Sequence, residues 1–118
     1  MNKYKLKVVS LTCLLLSVFN VNAADYNDVY VFGDSLSDIG NLKQLDPSVP
    51  ERFTNGPVAV EVIAGGLGFA LSPSSHLTAP IPTGNNFAIA GAKAIDEDGN
   101  ELTPDINLPT QVNAFLQS

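Results

Sequence analysis

Two short runs of apolar residues, set between polar stretches of the chain, predict two buried strands. Residues 29–32 are four consecutive apolar residues that favour strands, and Gly33 ends the run. Residues 87–90 form a second apolar run, which Gly91 ends. Short apolar runs that stop at a glycine are typical of strands buried on both faces of a parallel sheet. We therefore predict strands at about 29–32 and 87–90.

Apolar residues at helical spacing predict two helices. The first runs from about Pro57 to Ala64, because proline suits a first helical position and the following glycines suit an end. The second begins near Pro109, and its apolar face consists of Leu108, Val112, Phe115 and Leu116. Residues 71–83 are rich in proline and serine, so we expect them to be irregular and exposed.

The N-terminus has the pattern of a secretory signal peptide. Lysines at positions 3, 5 and 7 precede a mostly apolar run at 8–19, and small residues lie before Ala24. The run is shorter than the roughly 20 residues that span a bilayer. We interpret Cys13 as part of the apolar run rather than as a lipid attachment site, since the run continues past it. The predicted organisation is a signal peptide at 1–23 and one domain at 24–118, with no stable membrane span after cleavage.

Removal of this segment makes the chain strongly acidic. Three of the six basic residues leave with it and all twelve acidic residues stay, so the net charge becomes 3 − 12 = −9. Such a charge argues against binding to nucleic acid or anionic membranes. The remaining 118 − 23 = 95 residues suffice for one small domain, but they are few for a doubly wound α/β sheet.

Residues 32–41, Phe-Gly-Asp-Ser-Leu-Ser-Asp-Ile-Gly-Asn, carry the candidate chemistry. Ser35 follows the first predicted strand, and ligands of parallel α/β sheets bind at such strand ends. A serine here could also cap a helix, and Asp34 could simply form a turn that orients it. The Gly-x-Ser-x-Gly nucleophile elbow is excluded, because Ser37 occupies its second glycine position. The ten residues resemble the serine motif of the GDSL lipases and esterases, also called SGNH hydrolases.

Two further segments are similar to this family. Residues 52–58 resemble an Arg-Phe-Ser/Thr-Asn-Gly segment, which implies that Arg52 and Asn55 line the site entrance; a surface arginine and a turn asparagine are the alternative. Residues 86–92 resemble an Asn-Phe-Ala-x-Gly-Gly-Ala block, with Ala90 in place of its first glycine. The resemblance implies that Gly91 is a donor to the oxyanion; a glycine needed for close packing between strand and loop is the alternative.

The resemblance implies a fold and an activity. The fold would be the N-terminal part of a three-layer α/β/α sandwich with a flavodoxin-like parallel sheet, left incomplete. The activity would be hydrolysis of an ester or lipid without metal or cofactor: Ser35 is the nucleophile and an oxyanion donor, Gly91 the second donor, and Asp34 contacts substrate. The family's Gly-x-Asn-Asp and Asp-x-x-His blocks have no counterpart, so we expect a truncated chain that is inactive alone. An inactive remnant and a complementing fragment are the alternatives.

Two other candidate sites are weaker. His76 is the only histidine, but Pro73 occupies the place of the aspartate in Asp-x-x-His, so we predict a solvated loop residue. The acidic stretch 96–101 lacks the glycine that a calcium loop needs at its sixth position, where Glu101 stands. A solvated turn is the simpler interpretation of that stretch.

Overall fold

The computed structural model describes residues 26–95 and 105–118. These contain helices α1 (Asn41–Leu45), α2 (Ala59–Gly66) and α3 (Leu108–Leu116). The predicted signal peptide at 1–23 and the predicted acidic turn at 96–101 lie outside the described residues.

Three extended segments pair in parallel beside the helices. We call residues 29–33 the N-terminal segment, 85–89 the central segment and 72–74 the edge segment. Asn86 of the central segment forms a parallel bridge with Val31 on one side and with Pro73 on the other. The N–H of Phe87 donates to the carbonyl of Val31 at 2.7 Å, and the N–H of Ser74 donates to the carbonyl of Asn86 at 2.8 Å. The carboxyl end of the N-terminal segment therefore lies beside the carboxyl end of the central segment.

The predicted strands are present only as these short pairings. Both predicted positions are extended, but within the described part of the chain the ladder consists of two isolated bridges rather than continuous strands. Gly33, the last residue of the N-terminal segment, turns the backbone with φ of 145°. The flavodoxin-like sheet therefore remains a prediction. The prediction that 71–83 is wholly exposed is wrong, since Ser74 is fully buried.

Helix α2 confirms the first predicted helix with its bounds shifted by about two residues. It begins after Val58, which stays extended, and the carboxylate of Glu61 accepts the N–H of Val58 at 2.9 Å. The helix continues through Gly66, and Gly68 takes the left-handed conformation with φ of 87° that ends it. Only part of the predicted apolar face is buried, because Val62 and Ile63 are exposed.

Helix α3 confirms the second predicted helix and covers an aromatic core. Phe115 packs edge-on against Phe32 and Phe87, with ring centres 5.6 and 5.9 Å away, and contacts Tyr30 at 4.5 Å. The predicted apolar face is otherwise misplaced: Leu116 is exposed, whereas the polar Gln111 is fully buried. No helix in the described ranges is long and apolar enough to cross a membrane.

Candidate active site

Ser35 lies in a tight turn that starts where the N-terminal segment ends. The carbonyl of Asp34 accepts the N–H groups of Ser37 and Asp38, both at 3.0 Å. The side chain of Asp34 accepts the N–H of Leu36 at 3.0 Å, which is the Asx-turn geometry. Asp34 therefore shapes the backbone on both sides of Ser35, as the turn interpretation of this residue predicts. Contact of Asp34 with substrate stays a prediction.

Gln111 fixes the backbone just before this turn. Its amide oxygen accepts the N–H of Gly33 at 2.9 Å, and its amide nitrogen donates to the carbonyl of Gly33 at 2.8 Å. The same nitrogen also donates to the carbonyl of Ile106 at 3.0 Å. Because Gly33 has a positive φ, an L side chain there would be strained, and the clamp holds this backbone conformation in place.

Asp38 and Asn86 connect the serine turn to the central segment. One carboxylate oxygen of Asp38 accepts the N–H of Ala90 at 2.8 Å, across 52 positions of sequence. The side chain of Asn86 donates to the carbonyl of Ser37 at 2.8 Å. Both side chains are buried, with Asp38 only 1% exposed. These two contacts hold the turn that carries Ser35 close to the end of the segment that leads into Gly91.

The N–H groups of both predicted oxyanion donors have no partner within the described residues. Neither the N–H of Ser35 nor that of Gly91 has a hydrogen-bond acceptor there, and the same is true of the N–H of Asp34. Gly91 is exposed and has φ of 90°, so its backbone is in the region that favours glycine. A backbone N–H without a partner can donate to a tetrahedral oxyanion. That role of Ser35 and Gly91 stays a prediction.

An apolar depression of about 300 Å³ opens beside Ser35. Its walls include Leu36, Phe53, Pro57 and Val58. Most of these side chains are apolar and none is charged, so the depression suits an uncharged apolar group of a substrate. The volume lies at the lower end of the range found for ligand pockets.

Arg52 is bound by two acidic side chains at the edge of this region. Its guanidinium donates to both carboxylate oxygens of Glu61, at 2.8 and 2.6 Å, and to Glu51 at 2.6 Å. These hydrogen bonds, chiefly the one with Glu61, raise the pKa of Arg52 well above its usual range, and Arg52 lowers the pKa of Glu61. The pairing anchors the loop that brings Phe53 to the depression, while Asn55 is exposed in that loop. Direct substrate contact by Arg52 or Asn55 stays a prediction.

His76 is not the solvated residue that its proline-rich surroundings predict. Its Nδ1 hydrogen-bonds Ser74 Oγ at 2.6 Å, and its ring lies 5.6 Å from the ring of the buried Phe87. Its Nε2 is buried and has no partner among the described residues. Burial lowers the pKa of His76, so the neutral ring is favoured at neutral pH. The contacts of His76 are with the edge and central segments rather than with the serine turn.

No group of three or more histidine, cysteine or acidic residues in the described ranges is arranged to hold a metal ion.

Comparison with known proteins decides the family. The model of the GDSL-like lipase/acylhydrolase family matches residues 29–118, which begin at the N-terminal segment and include the serine turn and Gly91. The chain belongs to this family.

Curated relatives agree with this assignment. A GDSL esterase/lipase of Arabidopsis thaliana is 29% identical and aligns with 86% of this chain and 34% of its own length. Acetylajmalan esterase 2 of Rauvolfia serpentina is 32% identical over 76% of this chain and 32% of its own. Esterase EstA of Pseudomonas aeruginosa is 33% identical over 77% of this chain and 18% of its own. The chain therefore spans about a third of the length of the plant relatives and less of the bacterial one.

Sequence reasoning assigned no role to four buried polar residues near the serine turn: Asp38, Asn41, Asn86 and Gln111. All four are buried and hydrogen-bonded to backbone groups of other segments. The available signal was their position within or beside apolar runs, since a polar residue placed in a core must find partners. An analysis of apolar periodicity alone does not identify buried polar residues.

Proposed function

We propose that this protein is a secreted serine hydrolase of carboxylic esters, with Ser35 as its nucleophile. The observation that carries the proposal is the position of Ser35: it borders an apolar depression, and its own N–H and that of Gly91 are unpaired within the described residues. Export would follow from the predicted signal peptide at 1–23. The ester hydrolases among the relatives support the reaction class.

The proposed reaction runs through an acyl-enzyme. Ser35 Oγ attacks the ester carbonyl carbon, a general base takes the hydroxyl proton, and the carbonyl electron pair becomes an oxyanion. The N–H groups of Ser35 and Gly91 donate to that oxyanion. The intermediate collapses, the alcohol leaves with the proton, and water then hydrolyses the acyl-serine by the same steps. The apolar depression would take the acyl or alcohol group of a neutral ester, of small size because the space is about 300 Å³.

The general base would come from sequence beyond these 118 residues. His76 is the only histidine, and its Nδ1 and ring contact Ser74 and Phe87 instead of Ser35. We propose that the family's Asn and Asp-x-x-His blocks, which have no counterpart here, complete the site. Without them the 118-residue chain would be inactive, as a remnant or as a fragment that a second chain complements.

The test compares the 118-residue chain with the protein expressed from the full reading frame that contains it. Both are assayed on a short-chain nitrophenyl ester, each with a Ser35→Ala variant and a Ser37→Ala control from the same turn. We expect hydrolysis only where the missing blocks are present, loss of it in Ser35→Ala, and retention in Ser37→Ala. A serine hydroxyl without its base loses on the order of 10⁶ in turnover. Activity of the full protein that survives Ser35→Ala would contradict the proposed nucleophile. Ser35-dependent turnover by the 118-residue chain would contradict the need for further blocks.

A further inference from the structure

We infer that Asp38 is a positioning residue that sets the distance between the two oxyanion donors, Ser35 and Gly91. The inference rests on the proposed function and deepens it, because it names the side chain that aligns the site. Asp38 lies three residues after Ser35, and its carboxylate binds the N–H of Ala90, the residue immediately before Gly91.

The carboxylate of Asp38 is fully used by backbone N–H groups. One oxygen accepts from Gly40 and Asn41, both at 2.8 Å. The other accepts from Leu42 at 3.2 Å and from Ala90 at 2.8 Å. Three of these donors follow Asp38 closely in sequence, at the start of α1, whereas Ala90 is 52 positions away. A single side chain thus joins the serine turn and the start of α1 to the end of the central segment.

The geometry around Ala90 makes this link specific. Within the central segment, backbone pairing to the N-terminal segment ends with the N–H of Ile89, which donates to the carbonyl of Gly33 at 3.1 Å. The next N–H along the chain, that of Ala90, is held by Asp38 instead of by a strand. The N–H after it belongs to Gly91 and is unpaired among the described residues. Asp38 therefore holds Ala90, which is the last residue with a hydrogen-bonded N–H before Gly91.

A buried carboxylate suits this task better than a neutral side chain. Both of its oxygens accept, so it satisfies four N–H groups at once, and hydrogen bonds to an ionised acceptor are short and strong. An amide at the same place would present its NH₂ group to one of the two pairs of N–H groups, Gly40 with Asn41 or Leu42 with Ala90, so that donor faces donor in either orientation. Either the start of α1 or the peptide leading into Gly91 would then have to move away, and both movements change the distance between Ser35 and Gly91. A displacement of about 1 Å at a reacting group can cost on the order of 10² in rate.

The test uses the protein expressed from the full reading frame, with three substitutions. Asp38→Asn keeps the shape of the side chain and replaces one of its two acceptor oxygens by an NH₂ group. Asp46→Asn makes the same chemical change at an exposed Asx turn, where the carboxylate accepts from Ser48. Asn41→Ala removes a buried side chain that binds the carbonyls of Asn86 and Ala88, and it leaves the Asp38–Ala90 contact intact.

We expect kcat to fall by about 10- to 100-fold in Asp38→Asn with KM within about threefold, because an oxyanion donor acts in the transition state. Inhibition by an alkyl boronic acid, whose tetrahedral adduct places an oxygen in the oxyanion site, should weaken by a similar factor. Asp46→Asn should leave both quantities within about twofold. Asn41→Ala should lower the melting temperature without changing the boronate affinity by more than about threefold. Equal loss of kcat and boronate affinity in Asn41→Ala and Asp38→Asn would overturn the inference.

Amide hydrogen exchange tests the link independently of activity. In the wild-type protein the N–H of Ala90 should exchange about as slowly as that of Phe87, although its acceptor is a side chain. Rapid exchange of Ala90 beside a protected Phe87 would overturn the inference even if Asp38→Asn fails to fold. A protein that shows protected Ala90 but no Ser35-dependent hydrolysis would instead contradict the proposed function.

Discussion

Gln111 holds the backbone of Gly33 by both its N–H and its carbonyl, at 2.9 and 2.8 Å, although the two residues are 78 positions apart. This contact joins helix α3 to the residue that opens the serine turn. The side-chain amide offers an oxygen that accepts the N–H of Gly33 and an NH₂ group that donates to its carbonyl, so one side chain binds both backbone polar groups of this residue. The order of the site therefore depends on a helix that contributes no residue to the chemistry.

Replacing Gln111 by methionine should destabilise the protein by about 2–3 kcal/mol, because it leaves three partly buried hydrogen bonds to the backbone of Gly33 and Ile106 unmade. Urea unfolding of the protein from the full reading frame measures the effect. Gln44→Met is the matched control: Gln44 is exposed, and within the described residues its side chain accepts a hydrogen bond only from Thr78, at 3.0 Å. It should change the free energy of unfolding by less than about 0.5 kcal/mol. A Gln111→Met variant as stable as the control would show that the clamp is dispensable.

Two glycine substitutions should change the stability of the folded protein in opposite directions. A Cβ on Gly84 would overlap the carbonyl of Pro73, so Gly84→Ala should push the edge segment away and cost about 2–3 kcal/mol. A Cβ on Gly65 would meet nothing within 4 Å, and Gly65 lies inside α2. Gly65→Ala should therefore stabilise the protein by about 0.5–1 kcal/mol. Thermal unfolding of both variants checks the signs, and a tolerated Gly84→Ala would mean that the edge segment does not pack there.

The half-buried His76 should make stability depend on pH. Its folded pKa is lowered by burial, below the unfolded value of about 6.5, so the unfolded state takes up the proton first. The stabilisation from the neutral ring is complete above the unfolded pKa and is lost as the pH falls toward the folded pKa. Below the folded pKa, His76 causes no further loss of stability.

The measurement is the melting temperature between pH 7.5 and pH 5.5, where most carboxylates remain ionised. In His76→Gln the melting temperature should fall less between pH 7.5 and pH 5.5, because the contribution of His76 is gone. An NMR titration should place the midpoint of His76 below 6.5. A midpoint above 6.5, or an unchanged pH profile in His76→Gln, would contradict the buried neutral ring.

Export should remove residues 1–23. Mass spectrometry of the exported protein should find an N-terminus that begins Ala24-Asp25-Tyr26, because small residues precede this bond. Ala23→Leu should block cleavage, since the residue before the bond must be small, whereas Cys13→Ser should have no effect. A retained Met1, or a lipid on Cys13, would overturn this prediction.

The sequence predicted α2, α3 and the serine motif better than it predicted what holds them together, and it did not predict α1. Helical spacing located α2 and α3 to within two residues, because apolar periodicity and glycine stops reflect local physics. The same periodicity misplaced the buried face of α3, since Gln111 is buried while Leu116 is exposed. Gln111 is buried for its hydrogen bonds to Gly33, and that pairing depends on tertiary structure. The predicted solvation of His76 was wrong because its ring packs against the buried Phe87 of the central segment, and that packing depends on the pairing of the extended segments.

The long separations within this site have a consequence for folding. Asp38 meets Ala90 across 52 positions and Gln111 meets Gly33 across 78, and contacts between distant positions form slowly because long loops must close first. Ser35 enters the growing chain early, but its turn acquires its full set of anchors only after residue 111 has been made. If the predicted signal peptide directs export of the unfolded chain, Ser35 would cross the membrane without the contacts that order its turn.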